Sequence, residues 1–203
     1  MARAFRAPLR DADPRLLLSA GRELQAFALG QGKLIETPYD VNPVVDQTGE
    51  HAAEGQSGKV WFLAGNFGGE TVRTVTVPTG KALYFPITTY GAWEPTDGNT
   101  EEELLATAKF YTDAVTELEC TVDGVALRDL YTYRVMSPFG AFGPNDMTDV
   151  PNGSDLLVAD GYWLLLAPLS ASQHVIEFSA VLGPPDDPWF WLHVKYNVTV
   201  EGN

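Results

Sequence analysis

The last apolar run of the chain limits its fold more than any other feature. From Phe190 to Val200 every even position is apolar (Phe190, Leu192, Val194, Tyr196, Val198, Val200), while the odd positions from His193 onward are His193, Lys195, Asn197, Thr199 and Glu201. A period of two belongs to a β-strand, and strict alternation means one buried and one wetted face, the pattern of antiparallel sheets. Shorter runs of the same kind precede it: KVWFLAG from Lys59, VRTVTVP from Val72, KALYFPI from Lys81, then 131–136, 156–159, 162–167 and 173–181. Turn residues, Gly-Gly and Pro-Thr-Gly, separate the first three, which therefore read as a meander.

The expected class is all-β: a mainly antiparallel β-sandwich, jelly-roll-like or immunoglobulin-like, with an N-terminal helix and one inserted helix. Asp13-Pro14 is a favourable start for the first, which stops at Gly30. The second begins at Thr100-Glu-Glu-Glu103, which has capping-box spacing, and carries Leu104, Ala108, Tyr111, Val115 and Leu118 as an apolar stripe over 100–118. Residues 31–58 show no period and read as an irregular segment wrapped over the domain; 137–155 reads as a long loop and Val122-Asp-Gly124 as a turn. Residues 1–58 and 59–203 are expected to form one structural unit.

Charge narrows the partners. With 27 acidic and 13 basic side chains the net charge is 13 − 27 = −14, which repels phosphate backbones and anionic lipid, so nucleic acid is an unfavourable partner. The longest apolar runs, 162–169 and 189–194, are far shorter than the roughly 20 residues a membrane helix needs, and no membrane insertion is expected. No apolar run of signal-peptide length follows the arginines near Met1, so the expectation is either a cytoplasmic chain or one from which an export sequence was removed. A single cysteine, Cys120, allows no intrachain disulfide.

Several motifs in order carry a resemblance: GQSGKVWFLAGNFGG, VRTVTVPTGKALYFPI, DLYTYRVMSPFGAF, DGYWLLLAPLSASQHVIEF and the closing YNVTV. Across roughly Asn42 to Val200 the chain resembles a group of uncharacterised bacterial secreted proteins with VWFLAG, VPxGKALxFPI and DGYWxLLxPL motifs. The resemblance implies a secreted all-β domain and no known activity. Where those proteins tend to carry cysteine, this chain has Ala52 or Ala53, Val75, and Ala106 or Thr107, so it implies a branch that does not rely on oxidative folding.

No catalytic or metal signature stands out. His51, His174 and His193 show no zinc spacing, and no cofactor is expected; calcium is the one ion the loops could hold, through Asp97 and Asn99 or through Asp146 and Asp149, although solvated loop acids account for the same residues. His193, His174, Glu94 and Asp160 are the weak acid–base candidates, and Ser57, His174 and Asp160 could be assembled as a triad only by spatial coincidence. The aromatic residues are more informative. Trp189 and Trp191 fall on the odd, outward positions that also carry His193, so the strand's own pattern cannot bury both. Three readings stay open: the N-terminal helix or residues 31–58 cover them, they form a subunit interface, or they are a platform for a sugar or flat organic ligand beside Asp186, Asp187 or His193. Tyr90 and Trp93 could line the same end. The expected function is a binding or assembly module, engaged in self-association or in holding a small-molecule or carbohydrate ligand. The alternative is a small enzyme with an apolar pocket and a carboxylate or histidine acid–base residue.

Overall fold

Alternating burial along the strands explains how the chain divides into two sheets. The computed structural model describes residues 37–142, 154–184 and 186–201; the helix expected over 13–30 lies outside them. The elements are β1 (Val60–Phe62), β2 (Gly69–Pro78), β3 (Ala82–Trp93), α1 (Glu101–Asp113), β4 (Val115–Val122), β5 (Val125–Ala126), β6 (Arg134–Met136), β7 (Gly140–Phe142), β8 (Ser154–Leu166), β9 (Gln173–Leu182) and β10 (Phe190–Glu201). The first sheet runs β1-β3-β8-β6, with β7 also on β8, and the second runs β2-β10-β9-β4-β5. Apolar side chains of both sheets meet in one core, where Phe85 of β3 stacks on Phe178 of β9 with ring centroids 5.1 Å apart.

The chain is therefore mostly β, but the sheets are mixed. β1 runs parallel to β3 and β2 parallel to β10, and the expected meander of the first three strands does not form. The reason lies in their side chains. β2 alternates, with Thr71, Arg73, Val75 and Val77 buried and Glu70, Val72, Thr74 and Thr76 exposed, so it joins a sheet with one wetted face. β3 buries Leu83 through Thr88 without a break and needs cover on both faces. Its second face carries Tyr84, which stacks on Trp163 of β8 at 5.4 Å and receives Phe62 edge-on.

The inserted helix starts as expected: the Thr100 side chain accepts from the Glu103 amide, and Glu103 accepts from the Asn99 amide. It ends earlier. Val115 and Leu118 belong to β4, because the β9 ladder binds them opposite Leu182 and Ala180, and β-branched Val115 and Thr116 suit a strand. α1 buries Leu104 and Ala108 against Ala92 and Val158, closing one end of the inner face of the first sheet. The runs 156–159 and 162–167 are one strand, β8, because Gly161 passes so close to β3 that a Cβ there would sit 2.5 Å from the Thr88 carbonyl. Residues 131–133 form a 3-10 turn ahead of β6 rather than strand. Asp123 and Gly124, both at positive φ, make the expected turn between β4 and β5.

In the described part of the irregular segment, 37–58, the Thr48 carbonyl accepts from the Thr74 amide of β2 at 2.8 Å, so this stretch lies along the free edge of that strand. Asp46 shapes its turn. Burial pushes the Asp46 carboxyl up, but amide donors from Thr48, His51 and Gly49 outweigh that and hold it at about 2. Arg73, only 1% exposed, fixes the segment from below by donating to the carbonyls of Val44, Asp46, Ala64 and Gly65 and to the Tyr196 hydroxyl.

Candidate aromatic contact site

Because Leu192, Val194, Tyr196, Val198 and Val200 point into the core, the opposite face of β10 carries Trp191, His193 and Lys195. Trp189 stands just ahead of the strand. Its amide donates to Leu182 and the Gly183 amide donates to Ala114, which folds the loop back on itself. Gly183 has φ +95°, and a Cβ there would lie 2.8 Å from Trp189 Cγ. The indole thus rests against bare backbone, where only glycine leaves room.

Trp189 is nevertheless 59% exposed and Trp191 49% exposed. Among the described residues none covers them, residues 37–58 included; the N-terminal helix that the first reading also invoked lies outside the described residues. The partner that Trp189 does have was missed in the sequence. Phe110, 58% exposed near the end of α1, stacks on it with centroids 6.0 Å apart and planes 13° apart. Phe110 lies off the helix's apolar stripe, and an aromatic residue on the polar side of an amphipathic helix was the signal available. From Phe110 the ring contacts continue edge-on to Tyr111 and, stacked at 4.0 Å, to Tyr90 of β3. The Tyr90 hydroxyl donates to Asp97 at 2.8 Å, and burial together with that carboxylate raises its pKa. The predicted Tyr90 therefore connects to the patch, as a buttress. Trp93 does not join it: its amide donates to the other Asp97 oxygen, and its buried indole N–H has no acceptor among the described residues.

His193 shares the outward face with Trp191. Its Nε2 is 2.9 Å from Glu177 and its Nδ1 3.8 Å from Glu70, while Lys195 is 3.8 Å from the same Glu177. These are partly exposed pairs that contribute little to stability.

The other candidates are occupied elsewhere. Asp160, 1% exposed, receives Arg134 through Nε and Nη2, and Arg134 also reaches Asp113 at 2.5 Å. His174 places Nδ1 2.8 Å from Asp123 and Nε2 3.0 Å from Ser172 Oγ, an Asp–His–Ser outline. The Ser170 carbonyl, 2.9 Å from Nε2, changes its meaning. A carbonyl oxygen only accepts, so Nε2 must carry a proton while Nδ1 donates to Asp123, and a ring donating from both nitrogens is no base for a serine. With His174 tied to Asp123 and Asp160 to Arg134, the Ser57, His174 and Asp160 combination does not come together. Glu94 contributes its amide to the Leu156 carbonyl. Asp97 spends both oxygens on Tyr90 and Trp93, and the Asn99 amide serves Glu103; Asp146 and Asp149 lie outside the described residues. Among the described residues no three metal-ligating side chains cluster.

The doubly donating His174 gives a pH prediction. Burial lowers its pKa, but the Asp123 bond and the Ser170 carbonyl outweigh that, and the net shift is upward. A folded value raised above the unfolded one, about 6.5, means stability that is complete below about 6.5 and lost as pH rises through the folded value. Asp123→Asn keeps an acceptor for the Val175 amide yet removes the charge. Melting temperatures across pH 6 to 9 should fall in the parent and fall less in this variant; parallel curves would refute the assignment.

No family model matches the chain, and no curated protein matches it. Among solved structures it is similar to the solution structure of Amebosin at 13% identity, over 64% of this chain and 96% of that one, with a TM-score of 0.19, a likeness too slight to carry an argument. Among the described residues no helix is long and apolar enough to cross a membrane.

Proposed function

We propose that this chain is a non-catalytic binding or assembly module whose contact surface is built on Phe110, Trp189 and Trp191. The reading takes the two mixed sheets as a sandwich-type scaffold, jelly-roll-like or immunoglobulin-like, that holds the surface rigid. One observation carries it: two large rings, stacked on each other and each more than half exposed, are backed by a glycine that fixes one of them. Contiguous exposed aromatic surface is costly to leave in water and marks places of contact, where tryptophan supplies much of the affinity. Motif resemblance adds a secreted setting to the proposal, and the missing cysteines add independence from oxidative folding.

Trp189→Ala and Trp191→Ala test this. Both side chains contribute modestly to the fold, at about 1 kcal/mol for an exposed ring pair, so thermal unfolding should change little. Sedimentation behaviour or ligand-induced tryptophan fluorescence of the parent should be lost in the variants. If the double variant keeps the parent's oligomeric state and every ligand response, the surface is not a contact site.

A further inference from the structure

Taking the aromatic patch as a contact surface, as proposed above, we propose further that its partner is cationic: a lysine- or arginine-bearing segment of another polypeptide, seated by cation–π contact on Trp189, Phe110 and Trp191. The register of the second sheet places acids beside these rings. Trp191 of β10 lies opposite Val181 of β9, and Val181 lies opposite Glu117 of β4, so indole, valine and carboxylate stand in one row on the outward face. The next row repeats the arrangement with His193, Ser179 and Glu119. Exposed Tyr131 donates its hydroxyl to the Thr116 carbonyl at 2.8 Å, and partial burial, followed by the Glu117 charge, raises its pKa. Asp186 and Asp187 lie in the loop that delivers Trp189.

Among the described residues the basic groups on this side are few and mostly engaged. Arg134 holds Asp113 and Asp160, and His193 and Lys195 share Glu177; Lys109, exposed on α1 next to Phe110, is the exception. An aromatic face rimmed by carboxylates suits a cation twice over, because ring quadrupole and charge act in the same direction. The same charge argues against the other occupants. Two copies of a chain with net charge −14 would bring Glu117, Glu119, Asp186 and Asp187 against their like, which works against self-association through this face. A neutral glycan would stack on the rings but would gain nothing from the acids.

Isothermal titration of the full chain against an alternating lysine–arginine decapeptide, a glutamate decapeptide and cellohexaose separates these cases. The basic peptide should bind, and the glutamate peptide should not. Because a strongly acidic protein attracts any polycation, the tryptophans supply the decisive comparison. Trp189→Ala combined with Trp191→Ala should weaken basic-peptide binding by about tenfold, and Glu117→Gln with Asp186→Asn and Asp187→Asn, which leaves the rings in place, should weaken it similarly and flatten its dependence on salt. Basic-peptide binding indifferent to loss of the tryptophans, or absent, overturns the cationic assignment. Tryptophan-dependent binding of cellohexaose, or tryptophan-dependent self-association, overturns it as well while leaving the contact surface standing; only indifference of every interaction to the tryptophans removes both.

Discussion

Arg73→Met should destabilise the protein by about 3–5 kcal/mol, the scale of losing a buried charged group with all its hydrogen bonds. Arg73 is 1% exposed, and its guanidinium holds four backbone carbonyls and the Tyr196 hydroxyl through Nε, Nη1 and Nη2. Methionine fills similar volume but donates nothing, and each buried acceptor left unmatched costs about 1–3 kcal/mol, less where water or local relaxation reaches it. Ala64 alone keeps a donor, from Tyr196 at 2.7 Å. Arg73→Lys should recover little, since one ammonium cannot span the carbonyls that a planar fork reaches. Urea unfolding measures the effect, and a loss below about 1 kcal/mol, the ordinary size for a point substitution, would show that the segment is anchored by something else. Limited proteolysis should cut variant and parent differently between residues 42 and 66, where the freed carbonyls lie.

Arg134→Met should cost a comparable amount, about 3–5 kcal/mol, because it strands a buried carboxylate. Asp160 is the buried member of the pair, and its backbone carbonyl already accepts from Thr89 and Thr112, so β8 cannot shift to expose it without releasing β3 and α1. One control identifies the cause. Adding Asp160→Asn to Arg134→Met should restore part of the stability, since a neutral amide is cheaper to bury than an unpaired charge. A single variant whose unfolding free energy matches the parent's at neutral pH would refute the account.

These two residues differ in how much of their role the sequence displays. Arg73 has the parity of Val75 and Val77, so the alternation of VRTVTVP already points it inward; its partners at Val44 and Ala64 sit in irregular chain, where no period exists to place them. Asp160 was visible as an acid beside Gly161, but Arg134 comes from a strand far off in sequence, and their pairing follows from the β6 to β8 register. The aromatic site divides the same way. Trp191 could be placed on the wetted face of β10 from local alternation alone, whereas Phe110 could not be set against Trp189 until α1 and the loop before β10 were in place. The 100–118 stripe misled for a related reason: Val115 and Leu118 satisfy a helical spacing, and only the ladder to β9 made them strand.

What the sequence determined by itself was the β character, the capped start of α1, the inward and outward faces of individual strands, and the excess of acidic side chains. Each depends on neighbours along the chain, because pleat and cap act over a few residues. The tertiary structure alone decided that β2 and β3 part into different sheets, that two strand pairs run parallel, that Arg73 and Asp160 are satisfied from distant segments, and that two exposed rings stack where α1 meets the end of β9. Those outcomes depend on burying both faces of one strand and one face of another at the same time, a condition on the whole chain that no local pattern expresses.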